Sequence, residues 1–154
     1  MPKVFIKKLT VSNDAIDMNN HVNNIVYLSW MQEAAIQHSE AQGWPIERYL
    51  KTGGSWVVRS HFIKYLHPAF LGDSISILTW VSGIRKQSSM RKYLFWRGRD
   101  KKVLAEAETN WVFVDLKTGR PCLIPPELRS AFEIVSEDNE ELLQTAFSHE
   151  NRQT

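Results

Sequence analysis

The stretch that decides the fold is residues 24–42, NIVYLSWMQEAAIQHSEAQ. It contains no proline or glycine, and its polar residues recur at the helical spacing i, i+4, i+8 and i+11: Ser29, Glu33, Gln37 and Glu40. Apolar side chains occupy most of the remaining circumference, so the pattern predicts one long, largely buried helix. Asn23 or Asn24 is the expected N-cap, and Gly43 followed by Pro45 is the expected stop.

The sequence on either side of this helix is rich in β-branched and aromatic residues. Residues 4–11 are expected to form a first strand, and four further strands are expected at residues 56–66, 74–81, 89–97 and 103–115. In the last of these strands apolar and polar side chains alternate, so one face is buried and the other is at least partly wet. A proline pair opens a short closing helix at residues 125–132. The predicted fold class is therefore α+β, with a long helix against a five-stranded antiparallel sheet.

Composition places the chain among globular proteins. It has 154 residues, of which 43% are hydrophobic and 23% charged, which fits one soluble domain and excludes disordered and collagen-like chains. No apolar run approaches the ~20 residues that span a bilayer, and the first residues lack the apolar segment of a signal peptide. Cys122 is the only cysteine, which excludes an intrachain disulfide and a cysteine-built zinc site. We therefore expect a cytoplasmic protein with no membrane span.

The C-terminal segment differs in charge from the rest of the chain. Residues 136–154 carry five carboxylates against one arginine, a net charge of −4, so the preceding part carries +6 within a total of +2. We expect an acidic, solvated tail after a domain that spans residues 1–135. The modest positive excess of this domain is typical of a solvated surface, and we expect no nucleic-acid partner. The sequence contains no metal-ligand spacing and no glycine-rich phosphate loop, so no metal or cofactor is expected.

Residues 14–24, DAIDMNNHVNN, concentrate polar side chains just before the long helix. The segment holds two carboxylates, four amides and one imidazole. One interpretation is structural, in which Asx turns and an N-cap use these side chains to order the loop. The other is catalytic: the unpaired N–H groups and positive dipole end of the helix hold an oxyanion, while a neighbouring carboxylate attacks a carbonyl carbon or directs water. The residues alone leave both interpretations open.

Residues 17–30, DMNNHVNNIVYLSW, together with Glu33 resemble the signature of hotdog-fold acyl thioesterases of the 4-hydroxybenzoyl-CoA thioesterase type. That group includes the bacterial Tol-Pal-linked acyl-CoA thioesterases. The resemblance covers roughly residues 3–133 and continues through four later segments, at residues 65–69, 72–73, 105–115 and 118–125. The Asp-x-Asn-x-His spacing of Asp17, Asn19 and His21 is also similar to that of plant acyl-ACP thioesterases.

This resemblance implies a hotdog fold, in which the sheet wraps around the central helix and two subunits join their sheets edge to edge. It implies a homodimer, or a homotetramer, with active sites at the subunit interface and an acyl-CoA or acyl-ACP thioester as substrate. Dimerisation would also cover the long helix, because a helix that is apolar nearly all round cannot bury itself against one sheet. Asp17 would act as nucleophile or general base, and the Asn24 N–H at the helix N-terminus would polarise the thioester carbonyl. A thiolate has a parent pKa of about 8.5, so it leaves at neutral pH without a strong general acid.

Other residues of the segment have supporting roles in this interpretation. His21 either orders the loop and holds the Asp17 carboxylate, or acts on the proton itself. Asn19 and Asn20 are candidate contacts to substrate or water, and Asn20 stands where many family members have glycine. Tyr27 is expected to pack against the acyl pocket or to close it.

A cluster of cations lies where two predicted strands turn back on each other. Arg85, Lys86 and Arg91 are candidate ligands for the phosphates of CoA, and the alternative is a solvated hairpin end. Cys122 has no histidine or basic residue directly beside it to lower its pKa, so we expect no nucleophilic role for it.

Three classes of function compete. The first is hydrolysis of an acyl-CoA thioester, with acyl-ACP as the alternative carrier. The second is a non-catalytic hotdog module that binds an acyl thioester or a protein partner. A hydratase or dehydratase on the same fold is the least favoured, because the sequence lacks its histidine-plus-carboxylate pattern.

Overall fold

The computed structural model describes residues 3–151 of the chain. Within this range five strands and four helices follow one another as β1 Phe5–Thr10, α1 Asn24–Ala41, α2 Ile46–Thr52, β2 Gly54–Tyr65, β3 Ser74–Ile84, β4 Ser88–Arg97, β5 Lys102–Asp115, α3 Pro126–Ser130 and α4 Asn139–Asn151. A short 3₁₀ turn at Asn13–Ala15 lies between β1 and α1. No helix in the described part of the chain is long and apolar enough to cross a membrane.

The five strands form one antiparallel sheet in the order β1-β3-β4-β5-β2. Strands β3, β4 and β5 pair as consecutive hairpins, while β1 joins the β3 side and β2 joins the β5 side. The register of β2 on β5 sets Trp56 opposite Phe113 and Ile63 opposite Ala107. The predicted α+β class and five-stranded antiparallel sheet are therefore confirmed. The two edges of the sheet are the 6-residue β1 and the 12-residue β2.

Helix α1 lies across one face of the sheet, and Asn23 sets its start. The Asn23 Oδ1 accepts a hydrogen bond from the Ile25 N–H at 3.1 Å, which satisfies one of the free donors of the helix. The buried side of α1 forms one cluster with apolar side chains of the sheet, including Tyr27, Met31, Ala34, Ile77, Phe95 and Ala105. On the other side Ile25 and Ile36 are exposed. The predicted burial thus applies to one face of the helix, and a second apolar face is uncovered in the protomer.

Helix α4 covers the opposite face of the sheet. Leu142 and Phe147 are buried in a cluster with Leu78 and Trp80 of β3. The Phe147 ring stacks on the Trp96 ring, with 5.4 Å between the ring centroids. The sheet is therefore enclosed by α1 on one side and by α4 on the other.

This packing corrects the expectation of a solvated tail at residues 136–154. The apolar residues of the segment recur at helical spacing, so one side of α4 buries or half-buries them: Leu142, Leu143, Ala146 and Phe147. Glu140 and Glu141 stay exposed on the other side, which is why the composition alone suggested a solvated tail. Residues 152–154 of the expected tail lie outside the described residues.

Helix α2 is an element that the sequence pattern does not predict, because 7 residues are too few to show a helical period. It follows Pro45 and ends at Gly53, whose φ of 76° is left-handed. The buried Tyr49 hydroxyl shares a 2.7 Å hydrogen bond with Ser39 Oγ and accepts another from Trp56 Nε1 at 3.1 Å. Burial raises the pKa of Tyr49, so its hydroxyl stays neutral. These bonds join α2 to α1 and β2.

A buried guanidinium fixes the segment between β2 and β3. The Nη1 of Arg97 donates to the Asp73 carboxylate at 2.8 Å and to the Pro68 carbonyl at 3.1 Å. The Nε and Nη2 atoms of Arg97 donate to Asp100 at 2.9 and 2.8 Å, which raises the pKa of the guanidinium and lowers the pKa of the Asp100 carboxyl. Asp73 also accepts from the Phe70 N–H at 2.9 Å. The segment is thereby held by one charged network.

The role of α4 is tested by Phe147→Ala. This variant is expected to lower the free energy of unfolding by about 3 kcal/mol, because it removes a buried ring from the outer face of the sheet. Urea unfolding followed by circular dichroism measures the change. Gln144→Ala, at an exposed position of the same helix, is the control and is expected to stay within about 0.5 kcal/mol. Small, equal changes in both variants would show that α4 does not pack on the sheet in solution.

The role of the guanidinium is tested by Arg97→Leu, which leaves the buried Asp73 carboxylate without its main cation. We expect a loss of about 3–5 kcal/mol in the free energy of unfolding. Arg99 is a matched control, because its Nη2 lies 3.1 Å from the same carboxylate while its side chain is 62% exposed. Arg99→Leu is expected to cost at most about 1 kcal/mol. A loss for Arg97→Leu no larger than that for Arg99→Leu in denaturant titrations would contradict this role.

Candidate functional site

The Asp17 side chain organises a closed turn at the entrance to α1. Its Oδ1 accepts hydrogen bonds from the Asn19 N–H at 2.9 Å and from the His21 N–H at 3.3 Å. The backbone N–H of Asp17 donates to the His21 carbonyl at 2.8 Å, and Ile16 and Val22 form an antiparallel bridge. We call residues 16–22 the Asp17 turn. The structural interpretation of this carboxylate as an Asx turn is therefore seen directly.

The same carboxylate keeps one oxygen available for chemistry. Within residues 3–151 the Oδ2 of Asp17 takes part in no hydrogen bond and in no ion pair. The side chain is half-buried, so this oxygen is held in a fixed position without being covered by a cation. The turn therefore orients a carboxylate and does not neutralise it.

The Asp17 turn is positioned by the segment that Arg97 fixes. The Val22 N–H donates to the Ala69 carbonyl at 2.9 Å. The His21 ring meets the Phe70 ring edge-on, with 5.4 Å between the centroids. In the described part of the chain the His21 imidazole makes no hydrogen bond to Asp17, and its backbone N–H holds the carboxylate instead. His21 therefore orders the loop, and the structure gives no proton-transfer contact between its imidazole and Asp17.

Asn20 takes the conformation that glycine takes most easily. Its φ is 63°, in the left-handed region, which asparagine tolerates better than most side chains do. The replacement of the family's usual glycine by asparagine therefore preserves the turn. Asn19 and Asn20 are exposed at its tip, next to Met18, which is 99% exposed. The candidate contacts Asn19 and Asn20 thus remain accessible to a ligand.

A free backbone donor lies beside the Asp17 turn. The Asn23 side chain caps the Ile25 N–H, and the Val26 N–H donates to the Asn23 carbonyl at 2.9 Å. Among the described residues the Asn24 N–H donates no hydrogen bond. The Tyr65 hydroxyl donates to the Asn24 carbonyl at 3.0 Å, which fixes this peptide against the end of β2. The helix N-terminus therefore presents one unpaired N–H two residues beyond the Asp17 turn.

Tyr27 is placed in the core. It is 2% exposed and packs edge-on against the rings of Tyr65 and Phe95, at 5.1 and 5.0 Å. Burial is the main reason that its pKa rises to about 12, so the hydroxyl stays protonated. Tyr27 therefore anchors the first turn of α1 on the sheet, and its packing against the acyl pocket stays a prediction.

The three candidate phosphate ligands are not brought together. Arg85 and Lys86 are exposed at the β3–β4 hairpin, whereas Arg91 is 6% exposed and lies on the face of β4 that meets α1. The hairpin is also far from Asp17, because β3 starts beside the Asp17 turn and runs 11 residues, roughly 35 Å, to the hairpin. Arg91 is therefore not a surface phosphate ligand, and Arg85 and Lys86 lie at the opposite end of the sheet from Asp17.

An apolar cavity of about 330 Å³ lies at that opposite end, and sequence reasoning does not find it. It opens between the C-terminal half of α1, helices α2 and α3, and strands β2 to β5. Its lining is mainly apolar and includes the large aromatic side chains of Trp44, Trp56, Trp111 and Phe132. The number of tryptophans in the sequence is a signal for such a cavity, but large aromatic residues fill ordinary cores equally often.

The side chains of residues 3–147 contain no cluster of three or more His, Cys, Asp or Glu residues that could hold a metal ion. Cys122 is half-buried, and burial raises the pKa of its thiol. A raised pKa leaves less of the reactive thiolate at neutral pH. Among the described residues, neither a metal cluster nor this thiol therefore competes with the Asp17 turn as the candidate reactive site.

Comparisons with known proteins identify the family of the chain. The family model of the thioesterase-like superfamily matches residues 11–132. The long-chain acyl-CoA thioesterase FadM of Escherichia coli is 27% identical over 121 residues, which cover 77% of this chain and 89% of that protein. The chloroplastic palmitoyl-acyl carrier protein thioesterase of Gossypium hirsutum is 25% identical over 155 residues. That match covers 91% of this chain but 37% of the longer plant protein.

A solved structure carries the same fold. The 1,4-dihydroxy-2-naphthoyl-CoA thioesterase from Synechocystis superposes with a TM-score of 0.76 at 17% identity, covering 83% of this chain and 94% of that one. The predicted hotdog fold is thereby confirmed. The family match includes the Asp17 turn, α1 and strands β2 to β5. The chain therefore belongs to the thioesterase-like superfamily and is a hotdog-fold thioester hydrolase.

Proposed function

We propose that this chain hydrolyses acyl-CoA thioesters at a site formed by the Asp17 carboxylate and the Asn24 N–H. The observation that carries the proposal is an oriented carboxylate with one free oxygen, in a turn that ends two residues before an unpaired N–H at a helix start. The bridge between Ile16 and Val22 supports the proposal, because Asp17 directly follows Ile16 and Asn24 lies two residues after Val22. The two groups are therefore attached to the two sides of one bridge. Acyl transfer requires a nucleophile or base next to an oxyanion donor.

The chemistry needs few groups. The thioester carbonyl oxygen accepts from the Asn24 N–H, where the positive end of the α1 dipole stabilises the negative charge that develops on it. Asp17 Oδ2 then attacks the carbonyl carbon, or takes a proton from the water that attacks it. In both routes the C–S bond breaks and the thiolate leaves with the bonding electrons. When Asp17 attacks, this leaves a mixed anhydride on Asp17, which water hydrolyses to the free acid and the regenerated carboxylate; when water attacks, its oxygen forms the new C–O bond directly. The proton released from water ends on the thiolate, so the products are the acid and the thiol.

CoA is the proposed carrier, with acyl-ACP as the alternative. The acyl-CoA relative from Escherichia coli matches over 89% of its own length, and the acyl carrier protein relative over 37%. We place the catalytic domain in residues 1–135 and assign α4 as its outer cover. We also propose a cytoplasmic location, which the single cysteine of the sequence fits.

We propose that the active unit is a homodimer joined through β2; a homotetramer would be built from two such dimers. The other edge strand, β1, is short and carries Lys7 and Lys8, which protect a sheet edge from pairing. By contrast β2 is twice as long and exposes Val57, Phe62 and Tyr65. Pairing of two β2 strands would continue the sheet and bring a second copy toward the uncovered face of α1. The catalytic proposal places the two active sites beside this interface.

The catalytic proposal is tested by Asp17→Asn. We expect kcat for thiol release to fall by about 10²–10⁴, because an amide is neither nucleophile nor base. The fold should survive, since the asparagine oxygen still accepts from the backbone N–H groups of the turn. The assay is thiol release from short, long, branched and aromatic acyl-CoAs, after the signal of Cys122 is subtracted.

Asp14→Asn is the matched control, because Asp14 is an exposed carboxylate in the same segment. It should retain the activity of the original chain. Retained hydrolysis in Asp17→Asn would reject the assigned role of Asp17. No release from any acyl-CoA or acyl-ACP, combined with thermal stabilisation by acyl-CoA, would favour the non-catalytic binding module instead.

The dimer proposal is tested by hydrogen exchange on β2. In an antiparallel pair only alternate N–H groups of β2 bond to β5, so the remaining ones face the free edge. A dimer paired through β2 protects these edge amides from exchange with solvent. When the protein concentration is raised from below to above the dissociation constant of the dimer, their exchange should slow by at least about tenfold. The edge amides of β1 are the internal control and should not change. Fast exchange on both edges in a particle with the mass of a dimer would reject the β2 interface.

A further inference from the structure

Arg91 is a charged side chain buried where the proposed mechanism does not use it. It is 6% exposed, and its Nη1 donates to His38 Nδ1 at 2.9 Å and to Thr79 Oγ1 at 3.1 Å. Because a guanidinium has only donors, His38 Nδ1 is the acceptor and that ring is neutral. In the described part of the chain the Nε and Nη2 of Arg91 donate to no acceptor.

No carboxylate compensates this charge. Among the described side chains, those of residues 3–147, no aspartate or glutamate lies within 4.0 Å of the Arg91 guanidinium. Tyr49 and Tyr93 lie near it, but burial raises the pKa of both hydroxyls and keeps them neutral. Burial lowers the pKa of Arg91, yet a guanidinium remains charged in proteins. A buried charge without a counter-charge destabilises the folded protein unless a ligand supplies the counter-charge.

Arg97 shows how this fold compensates a buried guanidinium within the protomer. It is likewise nearly inaccessible, but it contacts two carboxylates, those of Asp73 and Asp100, both at 2.8 Å. Arg91 lies on the neighbouring stretch of the same strand with the opposite environment, since only neutral groups contact it. The difference indicates that the partner of Arg91 comes from outside the protomer.

The space next to Arg91 has the shape of a ligand site. Arg91 lines the apolar cavity of about 330 Å³, with the Phe132 ring centroid 5.7 Å from its guanidinium carbon. This volume holds roughly ten heavy atoms at about 30 Å³ each. Exposed Ile36 and Glu40 also contribute to the lining, so the cavity opens to the surface beside α1. An apolar chain that enters there would meet a cation inside.

The position of the cavity fits the proposed dimer. Trp56, near the start of β2, lines the cavity, whereas Tyr65, at the end of β2, holds the Asn24 peptide. When two β2 strands pair antiparallel about a two-fold axis, the start of one lies beside the end of the other. The Asp17 site of one protomer then faces the cavity of its partner.

We propose that this cavity binds the distal part of the acyl group and that Arg91 binds a carboxylate at its end, so that the substrates are CoA monothioesters of dicarboxylic acids. This inference rests on the proposed thioesterase function and on the β2 dimer. A carboxylate accepts two parallel N–H bonds from a guanidinium, which is the pairing that the free Nε and Nη2 atoms of Arg91 offer. The apolar walls contact the methylene groups between the two ends.

The test compares substrates that differ only at the chain end. Adipyl-, suberyl- and sebacyl-CoA are each paired with hexanoyl-, octanoyl- and decanoyl-CoA, and kcat/KM for thiol release is measured for every pair. We expect the carboxylate-ended substrate to be preferred by at least about tenfold at one or more of these lengths, as a charge-assisted pair predicts. An equal or reversed preference at all three lengths in the unmodified chain overturns the proposal without any mutation.

Arg91→Met then removes the charge at nearly constant volume. We expect the preference to fall by tenfold to a hundredfold, on the order of a lost charge-assisted hydrogen bond. Arg91→Lys retains a point charge and should retain part of the preference, which guards against a folding defect in the methionine variant. Arg120→Met, at an exposed loop position, is the control for loss of a cation and should leave the ratio unchanged. A structural role for Arg91 would lower both members of a pair equally and leave their ratio intact, which would also overturn the proposal.

A binding measurement separates this proposal from the catalytic one. Calorimetric titration of Asp17→Asn with suberyl-CoA and with octanoyl-CoA needs no turnover. Tighter binding of suberyl-CoA than of octanoyl-CoA, lost when Arg91→Met is added to Asp17→Asn, supports recognition of the terminal carboxylate. This holds even if the unmodified chain hydrolyses neither thioester, in which case only the proposed hydrolysis is rejected. Hydrolysis of both chain types with equal affinities overturns the recognition and leaves the thioesterase assignment in place.

Discussion

The geometry of the candidate site depends on one buried cation, the guanidinium of Arg97. It binds Asp73 and the Pro68 carbonyl, and so fixes the segment between β2 and β3 against the end of β4. In that segment the Ala69 carbonyl accepts a hydrogen bond from the Val22 N–H, which fixes the position of the Asp17 turn relative to the sheet. A reacting carboxylate tolerates little displacement, because both attack and proton transfer require contact distances. A charged network is rigid enough to meet this requirement, whereas a loop held by apolar packing alone would be less tightly fixed.

Under the proposed function, one protomer does not contain the whole substrate site. Asp17 and the Asn24 N–H lie at one end of the sheet, while the apolar cavity and the exposed cations Arg85 and Lys86 lie at the other, roughly 35 Å away along β3. No acyl-CoA reaches both ends of one chain in a compact conformation. Antiparallel pairing of the β2 edges removes this distance, since it places unlike ends side by side. The uncovered apolar face of α1 and the unprotected β2 edge therefore have a common explanation.

Much of the fold could be predicted from the sequence, because α1 and the strands are long enough for their polar spacing to be visible. The Asn23 cap and the ordered Asp17 segment follow from local side-chain chemistry, which the sequence also displays. Helix α2 is too short to show a period, and the apolar side of α4 is masked by its carboxylates. The burial of Arg91 could not be predicted. Arg91 follows a hairpin whose cations are exposed, but its position in β4 directs its own side chain to the face that meets α1. Which face a strand residue meets depends on pairing partners that are distant in sequence.

The charged side chains of this chain divide by whether they are paired. Asp73 and Arg97 satisfy one another and serve the fold. Asp17 and Arg91 are each held by neutral groups, backbone N–H groups for the carboxylate and His38 and Thr79 for the guanidinium. A charge that is oriented but not neutralised keeps its full electrostatic effect for a ligand, and maintaining it lowers the stability of the protein. Two such charges of opposite sign lie at the two ends of the protomer, and in the proposed β2 dimer they would face each other across the subunit interface. A thioester with a carboxylate at its far end complements both of them.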